Sequence, residues 1–242
     1  MMNIGEKPIL STHGVVTSLA WKIGGHVNYV LEGNLNYTGA VITWLKDDLE
    51  LISSAAETEA LANKAVKEDG LYLVPAFSGL GAPYWDSDAR AAIVGMSRTT
   101  RKAELVRAAL ECIAYQITDV VKAMSEDSKI CIGQLCVDGG PTRNAYLMQF
   151  QSDLLTADVM VPNAEELSAI GPAYAAGLRL GLWDETIFTK LKRTAYKPSM
   201  EDKKRTQKYA GWKEAVKSVL CHNKMAGRIE KNAWNYIDIS PV

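Results

Sequence analysis

One segment constrains the fold of this chain more than any other. Between Thr100 and Met124 the apolar residues Leu105, Val106, Ala109, Ile113, Ile117, Val120, Val121 and Met124 recur with the three-to-four spacing of one helical face. A helix of that length with a continuous apolar stripe is stable only when the stripe is covered by other elements. The question is then what the rest of the chain offers to cover it.

The segments before it begin with two β-like runs. Val15-Val16-Thr17-Ser18-Leu19-Ala20-Trp21 is rich in β-branched and apolar residues, and His26-Val27-Asn28-Tyr29-Val30-Leu31 alternates polar with apolar. Gly24-Gly25 between them reads as a hairpin turn. Two helices follow, Thr38 to Leu51 and Glu57 to Lys67, the second closed by Gly70. Leu71 to Pro75 reads as a short buried strand. Ser78 to Asp86, with two glycines, a proline and two aromatics, reads as an ordered surface loop. Ala91 to Met96 is a further strand.

Beyond the long helix, Ile130 to Val137 reads as a buried strand that Asp138-Gly139-Gly140-Pro141-Thr142-Arg143 turns into a helix from Asn144 to Leu155. A strand at Val159 to Val161, a small-residue helix at Gly171 to Leu182 and an amphipathic helix at Lys208 to Leu220 complete the order. Gly171, Ala173, Ala175, Ala176 and Gly177 form a smooth face suited to close packing against a neighbour. The mixture predicts an α/β domain, a mixed sheet flanked by helices, over residues 1–221. Residues 222–242, polar and irregular in pattern, read as a tail.

Composition narrows the class. Of 242 residues, 48% are hydrophobic and 23% charged, enough apolar surface to offset the entropy of ordering. With 27 basic and 28 acidic residues the net charge is −1, which gives no footprint for nucleic acid. Lys203-Lys204-Arg205 reads as the solvated start of a helix. No run of about 18 apolar residues predicts a transmembrane helix, and the first ten residues carry neither a basic nor an apolar signal region. The reading is a cytoplasmic protein away from membranes. Cys112, Cys131, Cys136 and Cys221 form no C-x-x-C pair and read as reduced, mostly buried thiols, with Cys131 and Cys136 on opposite faces of one strand. His13, His26 and His222 are scattered without metal-ligand spacing.

The strongest local chemical signal is the strand–glycine–helix junction Val137-Asp138-Gly139-Gly140. Without Cβ atoms the backbone can approach a ligand closely, and the helix beginning near Asn144 aims N–H groups and a positive dipole end at the same place. That suits a phosphate, or a ribose and base lying flat on the backbone. On turn chemistry alone the glycines read first as a steric need of the turn. Ser78-Gly79-Leu80-Gly81 lacks the lysine and hydroxyl residue of a phosphate-binding loop and reads as structural. Gly39, near the start of the helix after the hairpin, reads by itself as a breaker or close-packing residue. No residue set suggests a general base or a Ser-His-Asp order. The residues alone thus give an α/β domain with a possible nucleotide contact and no catalytic group.

Several segments in order resemble one family. Ala91 to Glu111, AAIVGMSRTTRKAELVRAALE, resembles a signature pattern of the FGGY family of carbohydrate kinases. Leu73 to Asp86 (LVPAFSGLGAPYWD), Leu147 to Asp153 (LMQFQSD) and Tyr209 to Lys213 (YAGWK) are similar to the glycerol kinases of that family, and the likeness runs over roughly residues 1 to 220. The resemblance implies a ribonuclease-H-like domain of the actin/hexokinase type, the C-terminal one of two, with ATP (as Mg-ATP) or ADP in the cleft between them. It implies that Gly139, Gly140 and Asn144 match the adenosine pattern Gly-Gly-x-x-x-Asn and that Gly39 matches a glycine near the nucleotide. Thr43 stands where the glycerol kinases commonly have glutamine. It further implies that the substrate pocket and the catalytic aspartate, in Gly-Asp-Gln, belong to sequence not in this chain, so that glycerol binds only the complete enzyme and this chain alone is inactive. Another sugar kinase of the family, such as a xylulose kinase, and a non-catalytic interaction module are the other readings. Met1 to Lys7 resembles the far end of the first strand of the C-terminal domain, a central strand in the family's sheet. The family often forms dimers or tetramers, which leaves a homo-oligomer open.

Overall fold

The long helix is the spine of the molecule. In the computed structural model it spans Lys102–Ser128 (α3) and is buried on nearly every side, with Val106, Ala109, Leu110, Ile113, Ala114 and Met124 each at most 2% exposed. The structure describes residues 1–23, 25–66, 70–164 and 167–234, with side chains described as far as Leu220. At the start of α3 the Glu104 carboxylate accepts from the Arg101 N–H (3.0 Å), and at its end Lys129 adopts the left-handed conformation (φ 60°) that closes a helix.

The C-terminal half of α3 packs under a three-stranded antiparallel sheet in the order β1-β3-β2, formed by Met2–Gly5 (β1), Val16–Ile23 (β2) and His26–Glu32 (β3). Met2, Val15, Leu31, Val120, Ala123 and Met124 form that satellite core. The hairpin expected from the alternation is present, paired Val16 to Glu32 and Ile23 to His26 with a bulge between Leu19 and Trp21; Gly24 of its turn lies outside the described residues. β1 pairs with β3 alone among the described strands and so lies at an edge here, not in the centre.

The N-terminal half of α3 carries the main core. Against it lie Gly39–Thr43 (α1), which continues as a π-helical segment Trp44–Asp48, Glu57–Lys64 (α2), and the hairpin of Tyr72–Val74 (β4) with Ala92–Val94 (β5). On the other side stand Ala145–Leu155 (α4) and a mixed three-stranded sheet. In that sheet Gln134–Cys136 (β6) runs parallel to Asp158–Pro162 (β7), and β7 pairs antiparallel with Arg193–Tyr196 (β8). Leu167–Leu180 (α5) and Asp202–Trp234 (α6) complete the chain. The α/β class holds, but the sheet is divided into three small ones.

Four local expectations change. β6 is shorter than Ile130 to Val137 and lies at the edge of its sheet, so Cys136 is exposed and Cys131, outside the strand, is exposed too. Only Cys112 of the described cysteines is buried. α2 ends at Lys64 with Ala65 in an extended conformation, so Gly70 is not its cap; the expected last residue, Lys67, lies outside the described residues. The small-residue face of α5 stays largely in solvent. Gly177 is its one buried residue, covered by the Trp183 indole, which would lie 2.0 Å from a Cβ there. Finally, α6 runs well past Leu220, so residues 222–234, expected to be irregular, have a helical backbone, while 235–242 lie outside the described residues.

Two carboxylates two turns apart on α3 join the layers. Glu111 is reached by the Lys208 ammonium of α6 (3.3 Å to each oxygen) and by the Tyr146 hydroxyl of α4 (2.7 Å). Asp119 accepts from the Tyr84 hydroxyl (2.7 Å), the Tyr209 hydroxyl (2.6 Å) and the Trp212 indole N–H (2.7 Å), with Lys213 Nζ at 3.4 Å. Burial and the neighbouring Asp119 charge push both phenols far up, so Tyr84 and Tyr209 remain protonated donors. The YAGWK and LGAPYW segments therefore meet on one buried carboxylate. Gly211 in the former is pressed against Tyr72, whose hydroxyl lies 2.1 Å from where a Cβ would stand.

Candidate functional site

Three segments far apart in sequence converge on one concave surface. α1 with its π-helical continuation contributes Gly39, Thr43, Lys46 and Asp47. The turn before α2 and its first two turns contribute Ala55, Thr58, Glu59 and Asn63, and the turn into α4 contributes Gly140, Arg143, Asn144 and Leu147. The floor is apolar, Leu110 and Ile113 of α3. The cleft measures about 780 Å³, within the range of roughly 300–1,000 Å³ usual for small-molecule sites. Wall chemistry is mixed: small or apolar side chains that suit a planar group, with a few polar ones able to orient it.

Four of the five residues singled out in the sequence, Gly39, Thr43, Gly140 and Asn144, line this cleft. Gly139 does not line it but makes the turn. Its φ of 91° is left-handed backbone that favours glycine, and its carbonyl accepts from the Thr142 N–H (3.1 Å) and hydroxyl (2.7 Å). Gly39 and Gly140 are different. Neither has a positive φ, and apart from the adjoining backbone no described protein atom lies within 4 Å of the place a Cβ would occupy. The protein's own sterics do not require glycine at either position. What the missing side chains leave is open space on the wall of the cleft.

Asn144, read in the sequence as the first residue of this helix, is its N-cap: its Oδ1 accepts from the Leu147 N–H at 2.9 Å. Its Nδ2 donates to Thr58 Oγ1 (3.0 Å), and the Thr58 hydroxyl donates in turn to the Ala55 carbonyl (2.6 Å). The Ala145 N–H donates to Glu59 Oε2 (2.7 Å). This alters the reading of the helix start as an anion site. Two of its N–H groups are already satisfied, one of them by a carboxylate, and a carboxylate repels phosphate. The corner suits an uncharged, planar group with hydrogen-bonding edges.

The lining includes two carboxylates, and both have partners. Asp47 pairs with Lys46 (2.7 Å) and Glu59 holds Ala145. Sequence reasoning did not identify Thr58, Glu59 or Asn63. They sit on the first turns of a polar helix, inside it and not at its cap, and no local pattern in the sequence sets them apart. It also missed Lys46 and Arg143; the latter stood in plain view inside the glycine turn. Among the described residues no group of three His, Cys, Asp or Glu side chains could hold a metal ion, and no helix is long and apolar enough to cross a membrane.

Comparison with known proteins gives the family. Residues 1–180 match the model of the FGGY family of carbohydrate kinases, C-terminal domain. Glycerol kinase of Petrotoga mobilis is 51% identical over 219 residues, covering 89% of this chain and 44% of that protein. The crystal structure of Plasmodium falciparum glycerol kinase with ADP superposes with a TM-score of 0.83 at 36% identity, over 90% of this chain and 44% of that one. A ligand-bound xylulose kinase from Lactobacillus acidophilus, 19% identical with a TM-score of 0.74 over 89% of this chain and 44% of its own, shares the fold. The chain spans less than half the length of the curated relatives it matches. The ordered sequence segments, the fold and the family match coincide, and the chain belongs to the FGGY family of carbohydrate kinases as its C-terminal domain.

Proposed function

We propose that this chain is the nucleotide-binding half of an ATP-dependent glycerol kinase, in which the whole protein transfers the γ-phosphoryl group of Mg-ATP to a terminal hydroxyl of glycerol to give sn-glycerol 3-phosphate. The observation that carries the reading is the pair Gly39 and Gly140. Both glycines face open space in one cleft without any internal steric reason to be glycine. Identity of about half the residues to glycerol kinases, and likeness to one whose crystal structure is with ADP, support glycerol over a pentose as the acceptor. The xylulose kinase likeness is at the level of fold.

In this reading Gly140 and Gly39 let the nucleoside lie against bare backbone, and Gly139 makes the turn that brings Gly140 there. Asn144 presents its side-chain amide to the base, and Leu110 and Ile113 pack beneath it. Thr43 is too short for the two-ended amide contact of a glutamine and offers one hydroxyl. Phosphoryl transfer depends on positioning and on electrostatic stabilisation of the transferring group more than on covalent help from the protein. This half supplies the positioning of the donor. Asp47 and Glu59 of the cleft are engaged with Lys46 and Ala145, and the resemblance to the family assigns the base and the glycerol pocket to residues beyond this chain. ATP supplies the phosphoryl group. The Mg²⁺ that accompanies it binds phosphate oxygens with few protein ligands, and none is assigned to this chain. The compartment that fits this chemistry is the cytoplasm.

Calorimetric titration of the chain with ADP and ATP tests the reading. Binding is expected, and Gly140→Val, which puts a branched side chain into the cleft from a Cβ position that meets no other part of the protein, is expected to abolish it while leaving the melting temperature nearly unchanged. A folded chain with no affinity at millimolar nucleotide, or equal affinity in Gly140→Val, refutes it and favours a non-catalytic interaction module.

A further inference from the structure

Asn144 is held at both ends of its amide by hydrogen bonds whose direction is fixed. The Thr58 hydroxyl has one hydrogen, and it is given to the Ala55 carbonyl at 2.6 Å. Toward Asn144 the Thr58 oxygen can therefore only accept, so the group at 3.0 Å from it must be the NH₂ of Asn144 and not its carbonyl. The opposite end agrees, because the Leu147 N–H at 2.9 Å requires an acceptor. Thr58 itself is 1% exposed, so no water competes for its oxygen. A primary amide has two N–H donors and an oxygen with two lone pairs. The chain Asn144 to Thr58 to Ala55 and the cap to Leu147 use one of each. One N–H and one lone pair remain on a residue that lines the cleft.

An edge with one donor beside one acceptor matches a base that presents one acceptor beside one donor. Adenine does so at its ring nitrogen and exocyclic amine. At the corresponding ring nitrogen and 6-position guanine presents the reverse order, an N1–H donor beside the O6 acceptor, so an amide held in one orientation matches adenine and mismatches guanine, whereas an amide free to flip accommodates either. We propose that Thr58 is a positioning residue that fixes the orientation of the Asn144 amide and so makes the cleft select adenine over guanine nucleotides. The proposal rests on the nucleotide-binding reading and names a determinant of base choice within it. Glu59, on the next residue of α2, braces the same corner through Ala145. The two helices are thereby joined through the residues that face the ligand.

The test is the ratio of ADP to GDP affinity, measured by calorimetry on the full 242-residue chain for the parent, Thr58→Val, Thr58→Ser and Gly140→Val. Valine keeps the shape of threonine and removes the acceptor; serine keeps the acceptor. Thr58→Val is expected to bind ADP about tenfold more weakly, which is about 1.4 kcal/mol, and to lose most of the ADP preference, whereas Thr58→Ser keeps both. Parent-like affinity and preference in Thr58→Val, with binding abolished in Gly140→Val, overturns this proposal and leaves nucleotide binding standing. Equal weakening by valine and serine with an unchanged ADP preference makes Thr58 a packing residue and overturns it as well. No ADP binding by the parent, or none lost in Gly140→Val, removes the reading on which it rests. If Thr58→Val does not fold, the side-chain amide of Asn144 in the parent decides by NMR. One N–H proton should be protected from exchange without ligand and the other should shift on ADP addition, and two protons that exchange alike and do not respond to ADP overturn the proposal.

Discussion

Removing the Asp119 carboxylate should be among the most damaging single changes in this domain, and the structure indicates by how much. The side chain is 1% exposed and each oxygen takes two donors: Tyr84 Oη and Trp212 Nε1 on Oδ2, Tyr209 Oη and Lys213 Nζ on Oδ1. In Asp119→Ala the Trp212 indole N–H, on a residue with no exposed surface, loses its acceptor where water cannot replace it, a cost of about 1–3 kcal/mol. The two tyrosine hydroxyls are only half-buried and recover part of their loss through water. Lys213 is 44% exposed and rehydrates. The sum is about 3–5 kcal/mol, a large share of the roughly 5–15 kcal/mol that holds a domain together. Asp119→Asn keeps one oxygen but turns an NH₂ toward two donors, so it should lose about 2 kcal/mol. Tyr84→Phe removes one donor and leaves the carboxylate three, and should cost about 1 kcal/mol. Urea denaturation at neutral pH, followed by tryptophan fluorescence, ranks the three. The expected order is alanine, then asparagine, then phenylalanine at position 84. An Asp119→Ala midpoint corresponding to less than about 1 kcal/mol of loss would show that the carboxylate is not the buried node described here.

Other outcomes follow from single contacts. Gly211→Ala should destabilise by about 1–3 kcal/mol in the same urea assay, because its Cβ would stand 2.1 Å from the Tyr72 hydroxyl and 2.5 Å from its ring; parent-like stability would mean that α6 shifts freely off β4. Desolvation raises the Asp127 carboxyl, but hydrogen bonds from the Ser11 hydroxyl, the His13 ring and the Thr12 N–H and hydroxyl outweigh it and hold the pKa well below the usual carboxylate range. The stability this confers is complete above the unfolded value of about 3.9 and is lost as pH falls toward the folded one. Asp127→Asn should therefore flatten the loss of stability below about pH 4, and an unchanged acid profile counts against the cluster. Burial raises the Cys112 thiol well above its ordinary value, whereas Cys131 and Cys136 are exposed. A disulfide reagent should label Cys131 and Cys136 at once and Cys112 only on unfolding, and rapid labelling of Cys112 in the folded chain would contradict its placement.

What could be read from the sequence was what local physics writes into it. Apolar spacing located α3, turn chemistry located the Gly139 corner, and the helix after it was placed from Asn144, because each depends on residues within a turn or two of one another. The resemblance to sugar kinases rested on stretches whose meaning was hidden. LGAPYW and YAGWK were read for their resemblance to glycerol kinases, yet nothing in either run says that Tyr84, Tyr209, Trp212 and Lys213 meet Asp119. Glu111 and Asp119 lie along a helix read for its apolar stripe, and a carboxylate there is assigned to solvent until its partners arrive from other elements. The exposed small-residue face of α5 failed in the opposite sense: smooth faces suit close packing, but among its described residues only Gly177 is buried, under Trp183. The cleft itself was decided by tertiary structure alone. Gly39, Thr58 and Gly140 are separated by long stretches of chain, and burial of α3 between α1, α2 and α4 sets them around one space. Sequence determined which residues could serve a ligand; packing against one buried helix determined that they face the same one.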